Sequence, residues 1–189
     1  MTKPDSLPFT GDPDADRLLA DDPLALLIGF ALDQQVTVQK AFSGPADLKR
    51  RLGHLDAARI AGMDPAELET IFRTPPALHR FPGSMAGKVQ ALCAAIATDY
   101  GNDAARLWTD ATDGRDLEAR LRGLPGFGEM KTKSVIAVLG NRFGVRPPGY
   151  DEVAPTWPTL GDVDSAEALA TYQAGKRAHK AAMRAAADS

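Results

Sequence analysis

The residues best suited to chemistry in this 189-residue chain gather around one turn, Leu124-Pro125-Gly126-Phe127-Gly128. Two glycines one residue apart let a backbone reverse within a few residues and tolerate positive φ. The NH groups of such a turn, with the N-terminus of a helix starting at 129, point outward and suit a phosphate oxygen. Taken alone, the same Gly-x-Gly is an ordinary corner between helices. Local charge favours the anion: from Arg120 to Arg146 there are six cations (Arg120, Arg122, Lys131, Lys133, Arg142, Arg146) against Glu129, a net of +5. Coulomb steering acts over roughly 8–10 Å, so this local sum matters more than the chain total.

The other candidates are fewer. Asp151 and Glu152 follow the turn in Pro147-Pro148-Gly149-Tyr150-Asp151-Glu152-Val153, where on their own they read as exposed loop acids. His54, His79 and His179 lie far apart and read as exposed or capping residues, and Ser43 and Ser84 lack a nearby His–Asp arrangement. Cys93 is the single cysteine, which excludes an intramolecular disulfide, a Cys-based zinc site and a four-cysteine iron–sulfur cluster. Trp108 and Trp157 suit either base stacking or core packing. Lys176, Arg177, Lys180 and Arg184 make the last segment basic, as a second backbone contact or a solvated tail.

The elements that must hold these residues read as helices. Hydrophobic residues make up 44% and charged residues 25% of the chain, an ordinary globular balance. A short helix around 15–20 follows a Pro- and Asp-rich extended arm, and another begins at Pro23 behind an Asp cap, with Leu24, Leu27, Ile28 and Ala31 at helical spacing. Further helices fall at about 37–52, 56–62, 65–73, 84–100 (with Ser84 as cap), 103–109, 115–123, 129–143 and 164–188, the last opening on a capping-box pattern at Asp164 to Glu167. Val145 to Thr156 is the only plausible extended segment. The class is all-α. The formal charge of -3 argues at face value against a nucleic-acid binder, but seven Asp against Lys3 and Arg17 put -5 into residues 1–33. The N-terminus lacks a secretory apolar core and no apolar run approaches the roughly 20 residues a span needs, so the chain is expected to be cytoplasmic and off the membrane, and it is expected to be a monomer.

Leu124-Pro125-Gly126-Phe127-Gly128 followed by Lys131-Thr132-Lys133-Ser134-Val135-Ile136 resembles the helix-hairpin-helix of the HhH-GPD base-excision DNA glycosylases, and Phe30-Ala31-Leu32-Asp33-Gln34-Gln35-Val36 resembles their Gln-Gln segment. The resemblance covers roughly residues 23–150. It implies a two-lobed helical fold: a six-helix-barrel-like lobe over 22–145 that includes the hairpin, and a smaller lobe from 1–21 and 146–189. It implies double-stranded DNA as partner, with Gln35 filling the gap left by an extruded base. Gly126, Phe127, Gly128, Arg122, Lys131 and Lys133 would contact DNA. Carbonyls of Gly126 and Gly128 would hold a monovalent cation, the only cofactor implied.

The resemblance also places a catalytic carboxylate near Pro148, making Asp151 the nearest candidate. Relatives with lyase activity carry a Lys where this chain has Met130, and Lys131 is rotated from that position by about 100°. A monofunctional N-glycosylase without Schiff-base chemistry is therefore expected. A catalytically silent module that binds distorted DNA or recruits repair partners is the alternative, and an interaction scaffold with a merely structural hairpin is the third reading. Phe30 stands where the adenine-specific branch has Glu.

Overall fold

The computed structural model describes residues 2–188, so Met1 and Ser189, the two ends of the expected smaller lobe, lie outside the described residues. Eleven α-helices and one 3-10 turn make up the described residues, with no strand among them. Three of the first five helices start the same way. Asp12, Asp22 and Asp64 each accept hydrogen bonds from backbone NH groups of the following turn, and proline occupies the first helical position of α1 (Pro13–Asp21), α2 (Pro23–Leu32) and α5 (Pro65–Arg73). The carboxylate satisfies NH groups that have no partner in the helix, and proline has no NH to leave unpaired.

α2 is buried on all sides from Leu24 to Leu32, as its almost wholly apolar sequence requires. It packs on α3 (Val38–Leu52) and α6 (Pro82–Asp99), and α6 in turn packs on α4 (Ala57–Ala61) and α5. The N-terminal residues, expected as an extended arm, close over this group. Leu7 and Phe9 are fully buried, and Phe9 meets Phe42 edge-on at 5.1 Å, as Phe30 does from the other side. Buried Asp16 accepts from the Phe9 and Thr10 NH groups and the Thr10 hydroxyl, which holds the arm down.

Downstream, α7 (Arg106–Thr109) and α9 (Glu129–Arg142) pack on α8 (Gly114–Arg122). The segment expected to be extended, Val145 to Thr156, instead turns at Gly149 (φ +74°) into the short helix α10 (Tyr150–Val153). The reason is tertiary. Tyr150 is buried against α9, its hydroxyl donating to the Ile136 carbonyl at 3.3 Å, and Gly140 leaves the space its ring fills. Beyond the 3-10 turn at Leu160–Asp162, which also packs on α9, comes α11 (Ala166–Ala187), capped by the Ser165 hydroxyl on the Ala168 NH. Ser84 is not a cap: α6 starts at Pro82, with Phe81 preceding it. No helix among the described residues is long and apolar enough to cross a membrane.

Candidate nucleic-acid interface

The turn between α8 and α9 is built as its glycines suggest. Leu124 and Phe127 are buried between the two helices, and the Phe127 NH donates to the Leu124 carbonyl at 3.1 Å. Gly126 has φ +80°, a conformation side-chain-bearing residues avoid. Gly128 differs. It is the N-cap of α9 with φ -75° and ψ -178°, ordinary extended backbone, and a Cβ built there meets nothing within 4 Å. Neither conformation nor crowding inside the chain calls for glycine at 128. The α9 N-terminus therefore faces open space with no side-chain cap on its NH groups.

Phe127 carries Lys131 over its ring at 5.6 Å, and Lys131 is half-buried. Met130, one step back, is 66% exposed. Burial pushes the Lys131 ammonium below its ordinary value, the charge of Asp33 opposing that shift and Lys88 adding to it. Asp33 ends α2 and belongs to the segment that carries the glutamine pair. Its carboxyl is held above the ordinary carboxylate range by burial, against the positive charges of Lys176 and Lys131. Tyr172 of α11 joins them, its hydroxyl pushed up to about 12 by burial and then by the charges of Asp33 and Asp162. Asp33 at the end of α2 thus lies within electrostatic reach of Lys131 on α9 and of Lys176 and Tyr172 on α11.

That Gln turn is held from below and strained at its tip. His79, read from sequence as exposed or capping, is a buried cap: its Nε2 lies 3.0 Å from the Leu32 carbonyl at the end of α2, while Nδ1 accepts from the Phe81 NH. Accepting at Nδ1 makes Nε2 the protonated, donating nitrogen of a neutral ring. Burial lowers the ring's pKa, in keeping with that form. Lys88 of α6 donates to the Gln34 amide oxygen at 2.5 Å. Gln35 is exposed and has φ +57°, one of two non-glycine residues with positive φ among the described residues. Strain of this kind persists only where the surroundings over-determine the backbone.

The cation cluster read from the sequence does not survive as a cluster. Lys133 is 14% exposed, pairs with Glu118 at 2.8 Å and donates to the Val153 carbonyl at 2.6 Å, so it pins α9 to α8 and α10 instead of facing a phosphate. Arg120 pairs with Asp116 at 3.0 Å. Arg146 donates to the Gly140 carbonyl and to Asn141 and lies over the Tyr150 ring. Asp116 lies one turn before Arg120 on α8 itself, whereas Glu118 comes alongside Lys133 only because α8 packs on α9. Arg122, exposed in the last turn of α8, and Lys131 remain beside the turn.

Asp151 is exposed in the first turn of α10, whose neighbour Tyr150 is anchored at Ile136, two turns along α9 from the hairpin. Asp33, two residues before Gln35, is the carboxylate within electrostatic reach of Lys131 beside the turn; sequence reasoning took it only as part of a motif, because nothing in a residue string shows that a helix-ending Asp will be largely covered and feel charges from α9 and α11. Trp108 is core and Trp157 is 40% exposed on the loop after α10. Among the described residues no group of three or more His, Cys, Asp or Glu side chains could hold a metal ion. Comparison with protein-family models, with curated proteins and with solved structures finds no match.

Proposed function

We propose that this protein binds duplex DNA through the 124–128 turn and the Gln34–Gln35 turn, and hydrolyses the N-glycosidic bond of an extruded damaged base as a monofunctional glycosylase. The observation that carries the reading is Gly128, a glycine that nothing inside the chain requires, at an uncapped helix N-terminus open to solvent. A group outside the chain that must approach the backbone closely supplies the missing reason, and a phosphate oxygen suits the free NH groups and the helix dipole. The exposed, strained Gln35 supports a role as the wedge that fills the gap when a base leaves the stack, a step costing a few kcal/mol.

In this reading the chain is a helix-hairpin-helix protein of the HhH-GPD kind, two-lobed over 22–145 and its flanks, working as a cytoplasmic monomer. Gly126, Phe127 and Gly128 would hold the phosphate backbone, with Arg122 and Lys131 adding charge. Met130 at the lysine position supports hydrolysis without a Schiff base. A monovalent cation would sit on the Gly126 carbonyl and on the second lone pair of the Gly128 carbonyl, whose first accepts the Thr132 NH at 3.0 Å, and would lend positive charge to the phosphate contact.

Asp151 is the carboxylate the resemblance offers. Its exposed position on α10 favours a second reading, a catalytically silent protein that binds distorted DNA or recruits repair partners. Single-turnover base release from duplexes carrying uracil, alkylated or oxidised bases separates the two. Release that Asp151→Asn abolishes supports the glycosylase. Duplex binding without release from any of them supports the silent binder, and no duplex binding removes both.

A further inference from the structure

α11 is anchored only at its beginning. Leu169 is its one buried residue, Tyr172 and Gln173 are half-buried, and Gln173 exchanges hydrogen bonds with Gln39 of α3 at 2.6 and 3.2 Å. From residue 174 onward every described residue is exposed. This free half holds Lys176, Arg177, Lys180 and Arg184, with no acid between 168 and 187. At 3.6 residues per turn the four cations fall within an arc of about 100°, as a stripe about 12 Å long. The same arc contains Leu169 and Gln173, so the face that docks on the body continues past it as a basic face. At the start of the stripe Lys176 lies over the Tyr172 ring at 5.4 Å and is within electrostatic reach of Asp33. The side chains of Arg177, Lys180 and Arg184 have no partner among the described residues.

Two common uses of a basic helix do not fit. Lying in a membrane or docking in a protein groove needs large apolar anchors on the opposite face. Beyond Tyr172 the only large apolar residue is Met183, at the edge of the basic stripe, and the opposite face carries alanines with Gly175 and His179. What the helix offers is charge in a row, and its complement is a regular polyanion.

We propose that the Lys176–Arg184 stripe is a second phosphate-contacting surface for duplex DNA, extending the footprint that starts at the hairpin. This rests on the duplex-binding reading above. Each phosphate contact contributes about 0.9 to the slope of log affinity against log salt. Replacing Arg177, Lys180 and Arg184 together with glutamine, a good helix former, should lower that slope by about 2.7 while leaving helical content and Tm unchanged. Between 50 and 200 mM salt the wild type should then lose about 40-fold more affinity than the triple variant.

The experiment measures salt-dependent binding of an undamaged duplex by the whole chain, the triple variant and Gly126→Val. A triple variant with the wild-type slope overturns the stripe while leaving the hairpin reading intact. A reduced slope with normal binding by Gly126→Val supports the stripe and removes the hairpin as the phosphate site. Wild-type protein that binds anionic phospholipid vesicles or single-stranded RNA but not duplex overturns both.

Discussion

Gly128→Ser separates an internal reason for glycine from an external one. The backbone there (φ -75°, ψ -178°) suits any residue, and the space a Cβ would occupy is open. Serine removes conformations from the unfolded chain, which stabilises by about 0.4–1 kcal/mol, and adds a few tenths as a better N-cap than glycine. A net gain of about 1 kcal/mol raises Tm by roughly 2–4 °C in a chain of this size. If the turn holds a phosphate, the same Cβ and hydroxyl intrude on it and cost about one charge-assisted hydrogen bond, roughly 1.5–3 kcal/mol. Duplex affinity should fall about 10- to 100-fold while the protein becomes more stable. Thermal melts and fluorescence anisotropy on a labelled duplex at fixed salt read the two effects separately. Gly126→Ser, forced to φ +80°, is the contrast and should lose about 1–2 kcal/mol of stability. A Gly128→Ser protein that is stable and binds duplex like wild type would refute the close-approach reasoning, and one that unfolds more readily would show an internal role for this glycine.

Three further outcomes test the charges. Lys133→Met should destabilise the protein by about 1–2 kcal/mol in thermal melts, because it strands a largely covered Glu118 carboxylate, although residual exposure of the pair keeps the cost below that of a fully buried one. Arg122→Gln, at an exposed site, should leave Tm unchanged and lower the salt slope of duplex binding by about 0.9; the opposite assignment of effects would show that the pairing has been misread. Asp33 titrates higher folded than unfolded because it is covered, so its ionised form opposes folding at neutral pH, and that opposition fades as pH falls through the folded value. Asp33→Asn should therefore be more stable than wild type at pH 7, with the advantage gone below the ordinary carboxylate value of 3.8; an advantage that persists there would trace to something other than ionisation.

Much of the local structure was legible in residue order. An Asp cap before Pro23 and the spacing of Leu24, Leu27, Ile28 and Ala31 announced the central helix, and the glycines of the 124–128 turn announced tolerance of positive φ, because caps, periodicity and backbone sterics act within a few residues. Contacts between distant segments were not legible. Leu7 and Phe9 looked like an arm and are core, and Val145–Thr156 looked extended until Tyr150 found the space beside Gly140. The six-cation cluster was an artefact of counting along the chain, since Glu118 reaches Lys133 only when α8 lies against α9. The coupling of Asp33 to Lys131 and Tyr172 links residues far apart in the chain, and the altered proton affinities of these groups come first from burial, which is a property of the packed chain that no single segment carries.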